Sequence, residues 1–174
     1  IRLDAIEGGI VETKYLEGGI LVDKGDTILK LSNNNLLQSF IREETQAFIL
    51  VNNLENTKLN LRRNQFELKR RLTELDYDIE EAKDDYERGK KLIEEDVISE
   101  QEFLRLERRY NRLMSAREIE IESQKFDTEN ARIQIRQTEE TLKRTRNNLK
   151  MIKANLDNLF IKAPIAGRLS SVNV

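Results

Sequence analysis

Apolar residues return every seven positions along most of this chain: Phe40, Ala47, Leu54, Leu61, Leu68, Leu75 and Ala82. Further on, a second series joins them at Leu72, Ile79, Tyr86 and Ile93. Leu68, Leu72, Leu75, Ile79, Ala82 and Tyr86 then alternate four and three residues apart, the seam of a coiled coil. In the near half, Glu44, Lys58 and Gln65 fall where the second series should continue, and Leu59 and Phe66 lie off its register. An interrupted or shifted packing is expected there. A matching arm returns through Phe103, Leu106, Tyr110 and Leu113, then Ile121, Ile135, Leu142, Leu149 and Leu156, with Ala131, Thr138, Thr145, Ile152 and Leu159 as its weaker companions. The two arms, about 36–93 and 99–158, would each extend roughly 85–90 Å at helical rise. Equal arms joined by a few residues predict an antiparallel hairpin, each arm being the partner its neighbour's narrow apolar face needs.

The turn between the arms is marked in the sequence. Ser99-Glu100-Gln101-Glu102 has the capping-box pattern, with Ile98 and Phe103 placed for a hydrophobic staple. The tip therefore falls at about 94–98. On either side of the hairpin the texture is different. Gly8-Gly9, Gly18-Gly19 and Gly25 punctuate Ile10-Val11, Ile20-Leu21-Val22 and Ile28-Leu29-Lys30-Leu31, which read as short strands joined by turns. Asp23-Lys24-Gly25-Asp26 predicts a tight turn with Gly25 at positive φ. After the return arm, Pro164 ends helical structure and Gly167 suits a turn between short strands. The first and last segments, too short to bury a core alone, are expected to pair into one small β domain that the hairpin interrupts.

Composition narrows the functional classes. Of 174 residues, 36% are charged, 6% aromatic and one is Pro, which suits long helices with narrow seams rather than a globule. Thirty basic and 32 acidic residues are interspersed, so nothing favours nucleic acid as a partner. Without Cys or His, the chain has no disulfide, no thiolate and no zinc site of the usual ligands. No enzyme activity, cofactor or metal is expected, since carboxylates and lysines are nowhere gathered into a pocket. Met114 and Met151 are too far apart along the return arm for a methionine metal site. No apolar run approaches the ~20 residues of a membrane span. The start at Ile1-Arg2-Leu3 and the close within a strand-like Val172-Asn173-Val174 lead to the expectation of an excised piece of a longer protein.

Two half-motifs flank the hairpin. One is Gly9-Ile10-Val11 followed by Glu17-Gly18-Gly19 and Val22-Asp23-Lys24-Gly25-Asp26-Thr27-Ile28-Leu29. The other is Ile161-Lys162-Ala163-Pro164-Ile165-Ala166-Gly167-Arg168-Leu169. In this order they resemble the periplasmic adaptor, or membrane fusion protein, family (HlyD-like), over essentially the whole chain. The fold this implies is mostly α with a small β part. A long antiparallel coiled-coil hairpin (34–158) is inserted between the two halves, 1–33 and 159–174, of a lipoyl-like, barrel-sandwich hybrid β domain. Arg88, Leu92 and Ser99 match the spacing that the family carries at the hairpin tip, where it docks onto a TolC-like outer-membrane channel. The family often has Gly in this turn; Glu94-Glu95-Asp96-Val97 has none, and Asp96 is expected to take the left-handed conformation instead.

The resemblance further implies a non-catalytic scaffold in the periplasm, its parent anchored to the inner membrane of a Gram-negative bacterium. Its partners would be the channel, an inner-membrane ATP-driven (ABC) or proton-driven transporter, and further copies of itself as a hexamer or trimer of dimers. In lipoyl carriers a turn Lys bears the cofactor, whereas Lys24 reads as an ordinary turn residue. Read alone, Ser99 is explained by its cap, Leu92 as a last seam residue and Arg88 as a solvated charge. A plain coiled-coil spacer accounts for the heptads but not for the flanking motifs or the tip, and a lipoyl-type carrier domain would need a modified Lys24.

Overall fold

A computed structural model of the chain describes residues 2–172. The elements run β1 (Ile10–Lys14), β2 (Leu21–Val22), β3 (Thr27–Ser32), α1 (Asn34–Glu94), α2 (Glu100–Asp157), β4 (Phe160–Lys162) and β5 (Gly167–Arg168). The helices have 61 and 58 residues, so the chain is mostly helical with a small β part. It divides into two compact units, Ile1–Asn52 with Glu139–Val174, and Asn53–Thr138.

In the first unit, strands from before and after the helices pair with one another. β3 is the middle strand of an antiparallel sheet in the order β1-β3-β4, and β2 pairs with β5. Successive side chains of a strand point to opposite faces, and β3 buries apolar residues on both. Ile28 packs with Val22 and Ala163, while Leu29 and Leu31 pack with Leu159, against half-buried Leu36, Leu156 and Ile161. The Leu31 N–H donates to the Leu159 carbonyl at 2.8 Å, so the residue that leaves α2 is tied to the strand that precedes α1. Beside them Lys30 Nζ donates to Glu12 Oε1 at 2.8 Å on the neighbouring strand. That hydrogen bond, with the Glu12 and Tyr15 charges, raises the Lys30 pKa above its usual 10.5 against a desolvation that lowers it.

The turns have local causes. Gly25 takes φ 99° and its N–H donates to the Ala163 carbonyl at 2.8 Å, while the Asp26 carboxylate accepts from the Asp23 N–H. Gly167, expected in a turn, instead lies within β5 opposite Val22, and the chain bends over 164–166. The bend needs no positive φ, so the ring of Pro164 suffices to make it. Asn33 caps α1, its Oδ1 accepting from the Leu36 N–H at 3.0 Å. Of the expected terminal strand, Val172 is irregular chain, and Asn173 and Val174 lie outside the described residues.

Burial along the helices corrects the seam. On α1 the first apolar series is buried or half-buried from Phe40 to Ala82, and Tyr86, Gly89 and Ile93 continue the seam. In the near half Glu43, Leu50 and Thr57 are half-buried one residue before the expected companions, but Val51 and Lys58 of the expected series are half-buried too, while Glu44 and Gln65 are exposed. The companion side of the seam is thus spread over two neighbouring positions there, an interrupted packing of the kind the sequence predicted. Leu59 and Phe66 take no part in the seam and face outward. On α2 a three-four alternation from Arg117 through Gln124, Ala131, Thr138 and Thr145 to Leu156 is buried or half-buried throughout. Gln124 brings an amide nitrogen into it that has no hydrogen-bond partner among the described residues.

Candidate functional site

The candidate site lies where α1 ends and α2 begins, within Asn53–Thr138. The close of α1 is dictated by backbone chemistry. The Val97 N–H reaches back to the Leu92 carbonyl at 2.8 Å and the Asp96 N–H to the Ile93 carbonyl at 3.2 Å, the paired bonds of a Schellman motif. That motif needs a left-handed residue after the helix, and Asp96 supplies it with φ 57°. The expectation for Asp96 in place of a turn glycine therefore holds. An L-residue is strained there, so Asp96→Gly is expected to raise stability by about 0.5–1 kcal/mol. A urea titration checks this; a lowered midpoint would show that the Asp96 carboxylate contributes something beyond the cap.

The start of α2 follows the sequence pattern in part. Ser99 Oγ accepts from the Glu102 N–H at 3.2 Å, and the Ser99 carbonyl accepts from the Phe103 N–H. Among the described residues the Glu102 side chain makes no reciprocal bond, so only half of the capping box forms. Ile98 and Phe103 both crowd the Gly89 position on α1. A Cβ at Gly89 would stand 2.6 Å from Leu106 Cδ1 and 3.6 Å from Phe103 Cδ2. The absence of that side chain lets the helices close next to Tyr86, whose ring stacks on Phe103 and Tyr110 at centroid distances of 5.6 and 5.8 Å.

The three residues singled out from the sequence take different places. Arg88 is exposed and bonds Asp85 one turn back on α1. Asp85 also pairs with Arg109 of α2 at 3.4 Å, and Arg109 reaches Glu81 at 3.5 Å, so Arg88 is the outer end of a cross-helix ion network. Leu92 is 37% exposed near the end of α1. Ser99 is committed to its cap. Val97, 62% exposed in the turn, is an apolar tip residue that heptad reasoning passed over, because it belongs to neither helix. Its signal was the Schellman pattern, in which the residue after the left-handed position carries an apolar side chain. Arg88 and Leu92 are four residues apart on α1, and Val97 follows them in the turn.

Elsewhere the described residues hold no group of three or more Cys, Asp or Glu side chains arranged to bind a metal. Lys24 is exposed in the Asp23–Asp26 turn. No helix among the described residues is long and apolar enough to cross a membrane.

No family model matches the chain, and neither does any curated protein. Solved structures similar to it include that of the periplasmic adaptor protein EmrA, at 20% identity and a TM-score of 0.46, covering 95% of this chain and 64% of that one. The soluble domain of LipC, a membrane fusion protein of a type I secretion system, is similar at 14% identity and a TM-score of 0.48, covering 95% and 89%. MacA from Actinobacillus actinomycetemcomitans is similar at 20% identity and a TM-score of 0.41, covering 97% of this chain and 44% of that one. The chain thus spans less than two thirds of the EmrA and MacA structures it resembles.

Proposed function

We propose that this chain is the hairpin-bearing part of an HlyD-like periplasmic adaptor, a scaffold without catalysis that joins an inner-membrane transporter to a TolC-like outer-membrane channel. In this reading residues 1–33 and 159–174 are the two halves of a lipoyl-like domain in the periplasm of a Gram-negative cell, and 34–158 is the docking arm. The observation that carries it is the topology. β3, before the helices, pairs with β4 after them, and β2 pairs with β5, so the helical excursion leaves and re-enters one sheet unit. A spacer that merely sets a distance needs no such return. At the far end of the excursion Arg88, Leu92 and Val97 offer the channel a small apolar contact with a fork of donors beside it.

Crosslinking in cells tests the docking role, using the full-length protein with Leu92→Cys; this chain has no native Cys to confuse the result. The expected result is a crosslink to the outer-membrane channel that disappears when the Cys is moved to exposed Gln65. A normally expressed and folded protein whose tip positions never reach the channel would leave the hairpin as a plain coiled-coil spacer.

A further inference from the structure

The unit Asn53–Thr138 is closed unevenly along its length. Nearer the tip the seam is filled from both helices: Leu72, Leu75, Ile79, Ala82 and Tyr86 on α1, and Phe103, Leu106, Tyr110, Leu113 and Ile121 on α2, are all buried or half-buried. Between Leu61 and Leu68 the filling lapses. Neither Asn64 nor Gln65, the two positions where a companion would stand, is buried. On α2 the seam between Ile121 and Ile135 is held by Gln124, Thr128 and Ala131, with no large apolar side chain among them. Phe66 and Phe126, the bulkiest apolar residues of the stretch, are 74% and 69% exposed and fill nothing between the helices.

These lapses coincide in space. Arg71 Nη1 bonds Glu120 Oε1 at 3.0 Å and Arg117 Nε bonds Asp76 Oδ1 at 2.6 Å, which fixes the levels of the two antiparallel helices. Continued residue by residue away from the tip, this register sets Leu68 level with Gln124, Gln65 with Thr128 and Leu61 with Ala131. Three successive layers thus hold at most one large apolar side chain each. The layer at Leu68 is also polar, because the Gln124 amide nitrogen is buried without a hydrogen-bond partner among the described residues. A donor in that position has lost its water and gained nothing in exchange, so closing the helices here works against itself. Among the described residues no hydrogen bond or ion pair joins the helices across 59–70 and 121–136.

We propose that this stretch is a yielding joint: α1 and α2 part at 61–68 and 124–131 while the filled seam nearer the tip stays shut. Parting exposes little beyond Leu61 and Leu68, and it returns the Gln124 amide to water. Each helix keeps its own backbone bonds as the two separate, but loses the packing that protects them. The joint lets the hairpin flex within its length without disturbing the Tyr86 stack on Phe103 and Tyr110. It stands independently of what the tip binds.

The test reads the gap between the helices in the purified 174-residue chain, which has no native Cys. Nitroxide labels go on Asn64→Cys with Asn130→Cys across the joint, and on Glu80→Cys with Asn111→Cys across the filled seam. All four positions are exposed. Labelled chain is diluted into unlabelled chain, so that only distances within one molecule are read by double electron–electron resonance. The joint pair is expected to show a distance distribution about 2-fold broader than the control pair, with a tail to longer distances. Gln124→Leu, which fills the layer and removes the unpaired amide, should narrow it to the width of the control. If circular dichroism shows that leucine is not accommodated, Gln124→Met, with its unbranched flexible chain, takes its place with the same expectation. Hydrogen exchange by mass spectrometry should run about 10-fold faster in 61–68 and 124–131 than in 72–86 and 106–121. A joint pair as narrow as the control, a width that a folded Gln124 variant leaves unchanged, or even protection along both helices would each overturn the proposal.

Discussion

Leu31→Ala is expected to loosen the β unit by about 2–5 kcal/mol, the usual cost of emptying a buried leucine site. Leu31 is buried on the middle strand, opposite Val11 of β1, and its N–H holds the carbonyl of Leu159, itself in the same apolar cluster. The cluster also takes Leu36 from the start of α1 and Leu156 from the end of α2. A cavity there weakens the seam at which the chain leaves and re-enters the sheet, and so few buried residues surround it that little can collapse into the gap. Hydrogen exchange read by mass spectrometry checks this. Protection should fall in Ile10–Lys14 and Phe160–Lys162 together, while Tyr77–Tyr110 keeps its own. Unchanged protection in β4 would mean that the two ends of the chain do not share one core.

At the tip, Gly89→Leu is expected to destabilise the unit Asn53–Thr138 by about 1–3 kcal/mol through overpacking. Two effects compete at this position. Glycine inside a helix costs about 1 kcal/mol against alanine, so local propensity favours almost any replacement. Packing opposes it, because the first added carbon already stands 2.6 Å from Leu106, with Phe103 and Ile98 behind. The Leu106 contact is the end of a flexible side chain and can turn aside, so Gly89→Ala should be close to neutral. The three further carbons of leucine have no such exit and must push α1 from α2. The near-ultraviolet dichroism of Tyr86 and Tyr110, stacked one step away, should collapse in the leucine variant and persist in the alanine variant. A leucine variant with full aromatic signal and unchanged thermal midpoint would show that the helices are not in close contact at Gly89. Loss of channel crosslinking in the same variant would tie the docking tip to this packing.

Much of this was legible from residue order. Ser99 announced the start of α2, because a capping oxygen acts on amides three residues away and needs no tertiary partner. The seams of both helices were legible for the same reason, since a seven-residue repeat selects one face whatever that face then meets. The glycine at 25 and the aspartate at 96 could be assigned positive φ from local turn chemistry, and both adopt it. Gly167 could not, because its role depends on pairing with Val22, far back in the chain.

What the sequence by itself determined is therefore local and periodic: two long helices, a short capped turn between them, and short apolar strands at either end. Tertiary structure alone decided the rest. The sharing of the companion seam between Leu50 and Val51 and between Thr57 and Lys58 became visible only through burial, because a three-four repeat can be entered at either step. Gly89, one heptad beyond Ala82, is a close contact only because Leu106 and Phe103 stand across from it. The level of one helix against the other was set only by bonds between them, such as Arg71–Glu120 and Arg117–Asp76. Periodicity fixes which residues share a face of one helix, but only packing between two helices fixes which faces stand side by side and which are left for another molecule.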